Sequence, residues 1–219
     1  MRKFASLLLA ISFLLLPRPV FAEGFQLGDV HIATTPPDMF LEDDSFLATI
    51  RKASPQDIVT HKMYIPYSGI KQTDSKRALL DYILITTLKG SENNGASADT
   101  LAQLEAIRDK RYDVANQDTH GYSREENRQF FDALDSSNNK DGVFLEKDSF
   151  DGAISYYTLM DTRGKEYRVV SATTFLVVNN RLLTLGAYSR VRGKAIYNSL
   201  KIVKNMNRKV VSSLRTSNP

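Results

Sequence analysis

Ser68-Gly69-Ile70-Lys71 spells S-x-x-K, the spacing in which a lysine one helical turn beyond a serine helps to deprotonate it for acyl transfer. That chemistry needs both side chains on one helix face, whereas Pro66 and Gly69 read as a loop. The companion motifs are incomplete. Ser137-Asn138-Asn139 stands where S-D-N is wanted, and Lys140-Asp141-Gly142 follows at once without the hydroxyl of K-T-G. Two fixed positions in a short pattern recur by chance, so no catalytic residue is assigned here. Gly95-Ala96-Ser97-Ala98-Asp99 lacks the second glycine of a nucleophile elbow and follows no convincing strand. Ser97 or Asp99 reads instead as the cap of the helix that follows.

Residues 131–144 look like the entry to a calcium loop. With Gly142 at the sixth position, the ligands would be Ser137, Asn139, Asp141, the Val143 carbonyl, Leu145 and Asp148. A strong loop wants Asp first and a bidentate Glu last. Ser137 and Asp148 occupy those places, so the segment reads as an Asx-rich turn joining a helix to a strand, with calcium as the alternative. His31, His61 and His120 are far apart and form no H-E-x-x-H. The absence of cysteine excludes disulfides, thiolate zinc sites, iron–sulfur clusters and cysteine nucleophiles. No metal or other cofactor is expected. Asp43-Asp44 and Glu125-Glu126 read as helix-start or solvated charge.

The elements that must position any site begin after residue 22. Arg2 and Lys3 precede an apolar run from Ser6 to Leu16; Pro17, Arg18 and Pro19 break it, and Val20-Phe21-Ala22 supplies small residues at a cleavage site. This is the three-region pattern of a secretory signal peptide. A membrane-spanning helix needs about 20 apolar residues, more than the run provides. The expected organisation is a signal peptide over 1–22 and one exported α/β domain over 23–219, periplasmic or secreted, not transmembrane after cleavage. Glu23 rather than cysteine would open the mature chain, which argues against a lipoprotein. With 42% hydrophobic and 25% charged residues, the chain is globular, and without disulfides it must be held by its core.

Removal of 1–22 takes away Arg2, Lys3 and Arg18, leaving 26 basic against 25 acidic side chains, a net charge of +1. That balance does not suit a nucleic-acid binder. The charge is unevenly distributed. Residues 181–219 hold nine basic side chains and no acid, so 23–180 carry a net of −8.

Residues 25–33 alternate with a slip at Gly28 and read as an opening strand; 58–65 read as a second. From Asp74 or Ser75 to Gly90 the caps predict a helix, although Ile83, Ile85, Thr86 and Thr87 favour a strand. Leu101, Leu104 and Ile107 predict a helix ending near Arg111, and Ser123-Arg124-Glu125-Glu126 is a capping box for another carrying Phe130, Phe131 and Leu134. Strands over 153–160, 166–178 and 181–188, with Asn179-Asn180 as a tight turn, form an antiparallel meander. Phe175 and Val177 fall on one face, Leu176 and Val178 on the other, so both faces are covered. A helix over 192–214 follows. Its apolar stripe is Ile196, Leu200, Val203, Met206, Val210, Val211 and Leu214; beside it lies a basic stripe of Lys194, Lys201, Lys204, Arg208 and Arg215. The fold class is α+β: a central antiparallel sheet with flanking helices and an amphipathic C-terminal helix.

The run Thr173 to Ser189, followed by that helix, resembles the closing hairpin and helix of small exported PsbP-like α/β proteins. The resemblance covers about 45 residues and implies a central antiparallel sheet with helices on both sides. It also implies a binding or assembly accessory, with no catalytic residues to carry over. The expected role is therefore a non-catalytic accessory of the cell envelope, with an envelope hydrolase as the alternative. The basic stripe is the candidate docking face for an envelope protein or an anionic lipid or glycolipid surface, with internal acidic partners as the competing reading. Nucleic acid is not an expected partner. Expression with export is expected to give a periplasmic chain whose intact mass starts at Glu23; a full-length precursor held in the inner membrane would overturn the cleavage assignment.

Overall fold

The structure is a computed structural model and describes residues 23–73, 76–112, 143–161, 167–192 and 196–219. β1 (Gly24–Leu27) and β2 (Val30–Ala33) form a hairpin, and β3 (Phe40–Glu42) leads into helix α1 (Asp44–Ala53). β4 (Ile58–Pro66) ends in a 3-10 turn at Tyr67–Gly69, followed by a second hairpin of β5 (Ile70–Thr73) and β6 (Lys76–Leu79). Next come β7 (Asp81–Leu88), α2 (Ala98–Tyr112), β8 (Val143–Phe150), β9 (Ala153–Asp161), β10 (Arg168–Val178), β11 (Arg181–Arg190) and α3 (Ile196–Ser217). Seven strands make one antiparallel sheet in the order β3-β4-β7-β11-β10-β9-β8.

The meander forms where expected. Asn179 and Asn180 adopt φ of 48° and 57°, which suits a two-residue hairpin turn, and Val178 pairs with Arg181 across it. Alternation along β10 sends Leu176 and Val178 into the cluster under α3, and Phe175 and Val177 into the cluster under α2. Leu47 of α1 covers Met63, Ile65 and Leu84 on that second face. The sheet thus has α3 on one side and α1 and α2 on the other, an α+β fold.

Two local expectations change. Residues 25–33 are a hairpin rather than one strand, because Gly28 turns the chain at φ 63°. The predicted helix over 74–90 is instead strands β6 and β7. β7 lies between β4 and β11; Ile83 and Ile85 enter the core under α3, while Leu84 enters the one under α1. Burial on both faces of a central strand outweighs the cap signals. α1 answers the helix-start reading of Asp43-Asp44, although the sequence pattern assigns no span to the helix. Asp43 caps it by accepting from the Ser45 and Phe46 amides at 3.0 and 3.1 Å. The capping box at 123–126 and the apolar residues after it lie outside the described residues.

α3 lies across β10, β11, β7 and β9. Ile196, Leu200, Val203, Met206, Val210, Val211 and Leu214 are all buried against the sheet, as the apolar stripe predicts. Asn207 joins them. Its Nδ2 donates to the Ser155 and Thr174 hydroxyls, which hydrogen-bond to each other at 2.7 Å.

Between Thr60 and Lys62 the β4–β7 register shifts, and at this bulge the His61 ring stacks on Phe25 at 4.2 Å. Its Nε2 lies 2.8 Å from Thr87 Oγ1. Burial, then the Arg51 charge, lowers the His61 pKa from its ordinary 6.5 to about 4, against a weaker opposite pull from Glu92. The unfolded chain therefore takes up this proton first as pH falls. The His61 contribution to stability is present above pH 6.5 and lost between 6.5 and about 4. Calorimetry should show Tm falling across that window, and His61→Gln should flatten part of the slope. Equal slopes in both proteins would show that His61 does not carry it.

Candidate functional site

α3 has two exposed flanks, and they differ in chemistry. On the β8 side lies the predicted basic stripe. Lys204 Nζ is 2.6 Å from Glu146, itself only 3% exposed, and Arg208 Nη2 is 3.0 Å from Asp148. Arg215 donates to the carbonyls of Val177, Asp151 and Gly152 at 2.6, 3.1 and 3.2 Å, which pins the β8–β9 turn. Lys201 is exposed, with Nζ 4.3 Å from the Tyr197 ring centroid. Lys194 lies outside the described residues. Three of the five cations thus meet partners in their own chain, and the acids among those partners sit on β8.

Among the described residues the catalytic and metal-binding patterns do not assemble. Ser68 sits in the 3-10 turn and Lys71 in β5, so the helix that S-x-x-K chemistry uses is absent there. Of the calcium-loop positions, Ser137, Asn139 and Asp141 lie outside the described residues. Leu145 and Asp148 stand in strand β8, where Leu145 is buried and Asp148 faces Arg208. Among the described residues no group of three or more His, Asp or Glu side chains is placed to hold a metal ion. Ser97 serves the start of α2, its amide donating to Thr100 Oγ1 at 3.1 Å and its carbonyl accepting from Leu101.

One buried polar cluster lay unread in the sequence. Asp81 accepts from Ser189 Oγ at 2.6 Å and from Arg192 Nη2 at 2.7 Å. Burial raises the Asp81 pKa, while Ser189 and Arg192 pull it back. Asp81 and Ser189 are buried and among the described residues no imidazole joins them, so the cluster ties the end of β11 to β7 rather than activating a nucleophile.

The other flank of α3 is open. Ile202, Asn205, Met206 and Lys209 face Met39, Phe40, Pro66, Tyr67 and Ser68 across a groove of about 200 Å³. Its floor is apolar, and its rim carries two large exposed hydrophobic side chains, Met39 at 63% and Tyr67 at 52%. Met39 has φ 71°, and the Phe40 amide donates to the Pro37 carbonyl at 3.0 Å. The turn Pro37–Phe40 therefore has the geometry of a type II turn with methionine where glycine is preferred. A second bond, from the Tyr67 amide to the Met39 carbonyl at 3.0 Å, holds that residue in place. Local strain of this kind costs about 1–3 kcal/mol and concentrates at binding sites. The double proline at 36–37 marks a turn in the sequence; nothing in the residue order shows that it faces Tyr67 and Lys209.

No protein-family model matches the chain, and no curated protein matches it. Among solved structures, the 1.9 Å crystal structure of the Saccharomyces cerevisiae Ran-binding protein Mog1p is similar over 87% of this chain and 93% of that chain. The identity is 10% and the TM-score 0.41, a likeness too distant to carry a functional argument.

Met39→Gly removes the side chain at a position where glycine is unstrained. Urea unfolding should show it to be neutral or stabilising by about 1 kcal/mol, and Met39→Val destabilising by a similar amount. A clear loss of stability in the glycine variant would mean that the Met39 side chain serves the fold rather than the groove.

Proposed function

We propose that this chain is a non-catalytic binding or assembly accessory of the cell envelope, exported after removal of residues 1–22, and that it holds a protein partner in the groove beside α3. The observation that carries this reading is the pair of exposed side chains, Met39 and Tyr67, standing over an apolar floor on a strained turn. A site for a drug-sized molecule has roughly 300–1,000 Å³ and encloses most of its ligand. At about 200 Å³ the groove suits one anchoring side chain of a protein. The PsbP-like character of the closing hairpin and helix points the same way.

Ser68 lines the same groove, but among the described residues no histidine or carboxylate lines it alongside, so binding is favoured over hydrolysis. The basic stripe takes second place as a docking face because Lys204, Arg208 and Arg215 already have internal partners. No described helix is long and apolar enough to cross a membrane.

Site-specific photo-crosslinking in cells tests the groove. A benzophenone amino acid at Tyr67 should trap a discrete set of partner proteins. The same probe at Ile107, 64% exposed on α2, should not. Equal trapping from both positions, or none from Tyr67, would overturn the groove as the docking face.

A further inference from the structure

We infer that the partner docks through an extended, acid-bearing segment: it pairs with the outer edge of β3, sets one apolar side chain in the groove and brings a carboxylate to Lys209. This inference rests on the groove reading above and supplies the chemistry of its occupant.

Three observations converge. First, β3 ends the seven-stranded sheet and pairs only with β4 among the described residues. The Phe40 amide is taken by the Pro37 carbonyl, so the outward backbone groups of this edge are the Phe40 carbonyl and the Glu42 amide and carbonyl, a short template for an added strand. Second, side-chain alternation aims such a strand at the groove. Phe40 points into the core under α3 and lines the groove, whereas Leu41, the next residue, is exposed. Cross-strand neighbours share a face, so the incoming residue beside Phe40 projects towards Ile202 and Met206. β3 is three residues long, so backbone pairing alone supplies few hydrogen bonds, and the anchor and the charge must add specificity.

Third, the charge on the helix side of the groove has one sign. α3 carries no Asp or Glu. Among the described residues no carboxylate pairs with Lys209, whose Nζ lies 6.0 Å from the Phe40 ring centroid at the groove. Glu42, the acid on β3, is already bound to Lys62 at 2.6 Å. A carboxylate arriving at the rim meets an uncompensated ammonium; a lysine arriving there is repelled. Asp38 is exposed next to Met39 but does not line the groove.

The methionines make a built-in reporter. Met39 and Met206 line the groove, while Met63 is buried under α1 and Met160 belongs to β9. The chain labelled with ¹³C-methyl methionine is titrated with synthetic heptapeptides carrying a central Phe, Thr on each side of it and Asp two residues away on the same face. Shifts are expected at Met39 and Met206, with Met63 and Met160 unmoved. Replacing Asp by Lys in the peptide should weaken binding about tenfold. N-methylation of the amides that would face β3 should abolish binding, and Lys209→Gln should erase the preference for Asp over Lys. Equal binding of both peptides, or an unchanged preference in the Lys209→Gln protein, would overturn the charge assignment. Retained binding by the N-methylated peptide would overturn strand pairing. Shifts at Met39 and Met206 from phosphatidylglycerol vesicles but from no peptide would make the occupant a lipid surface and overturn the inference. Silence from all probes, alongside Tyr67 crosslinks in cells, would overturn this occupant and leave the groove standing. Silence in both experiments would remove the groove as well.

Discussion

Asn207 enters the core from the middle of α3 and is fully buried. Its amide reaches the Ser155 and Thr174 hydroxyls, which hydrogen-bond to each other across β9 and β10. Leaving a buried polar group without its partner costs about 1–3 kcal/mol. The surrounding apolar stripe tolerates small rotations and slides of the helix; this polar contact does not. It selects one seating of α3 on the sheet, and that seating decides which flank faces which strand. Lys204, Arg208 and Arg215 are turned to β8 and the β8–β9 turn, and Ile202, Asn205, Met206 and Lys209 to β3 and β4.

The two flanks then diverge. On the β8 side the gap is closed by charge. Glu146 is buried beneath Lys204, and an ion pair so placed is costly to break from one side only. Its position depends on a bulge. Between Phe144 and Glu146 the β8–β9 register shifts, so Phe144 lies opposite Thr158 and Glu146 opposite Tyr157. Regular alternation would send Glu146 to the α2 face with Phe144. The extra residue re-aims it under α3, where Lys204 waits. On the β3 side no acid among the described residues closes the gap, and the groove remains.

This difference explains what the sequence could and could not disclose. The meander reads directly, because Val, Thr and Leu alternate between turn residues and Asn179-Asn180 suits positive φ. The buried stripe of α3 reads as well, since its periodicity is a local property of one helix. β7 misleads: Asp74 and Ser75 look like caps, and only a place at the middle of the sheet makes Ile83 and Ile85 strand residues. The hairpin of β1 and β2 is hidden because Gly28 merely interrupts a continuous alternation. The basic stripe invites a docking reading because its acidic partners are far away in sequence and are brought round by a bulge. The groove joins residues 39–40, 66–68 and 202–209, and no local pattern links segments so distant.

The turn that carries Met39 is the point where local preference and global structure disagree most plainly. A chain selected only to fold would place glycine there. Methionine persists because its neighbours over-determine the conformation: the Phe40 amide closes the turn on Pro37, and the Tyr67 amide holds the Met39 carbonyl. The same contacts place Met39 and Tyr67 side by side at the rim. The strain and the exposed apolar surface are thus products of one arrangement. Both are unfavourable in the isolated molecule, the first in backbone energy and the second in hydration. A partner that covers Met39 and Tyr67 would relieve the second cost, and the rigid turn would spare it the entropy of ordering the rim.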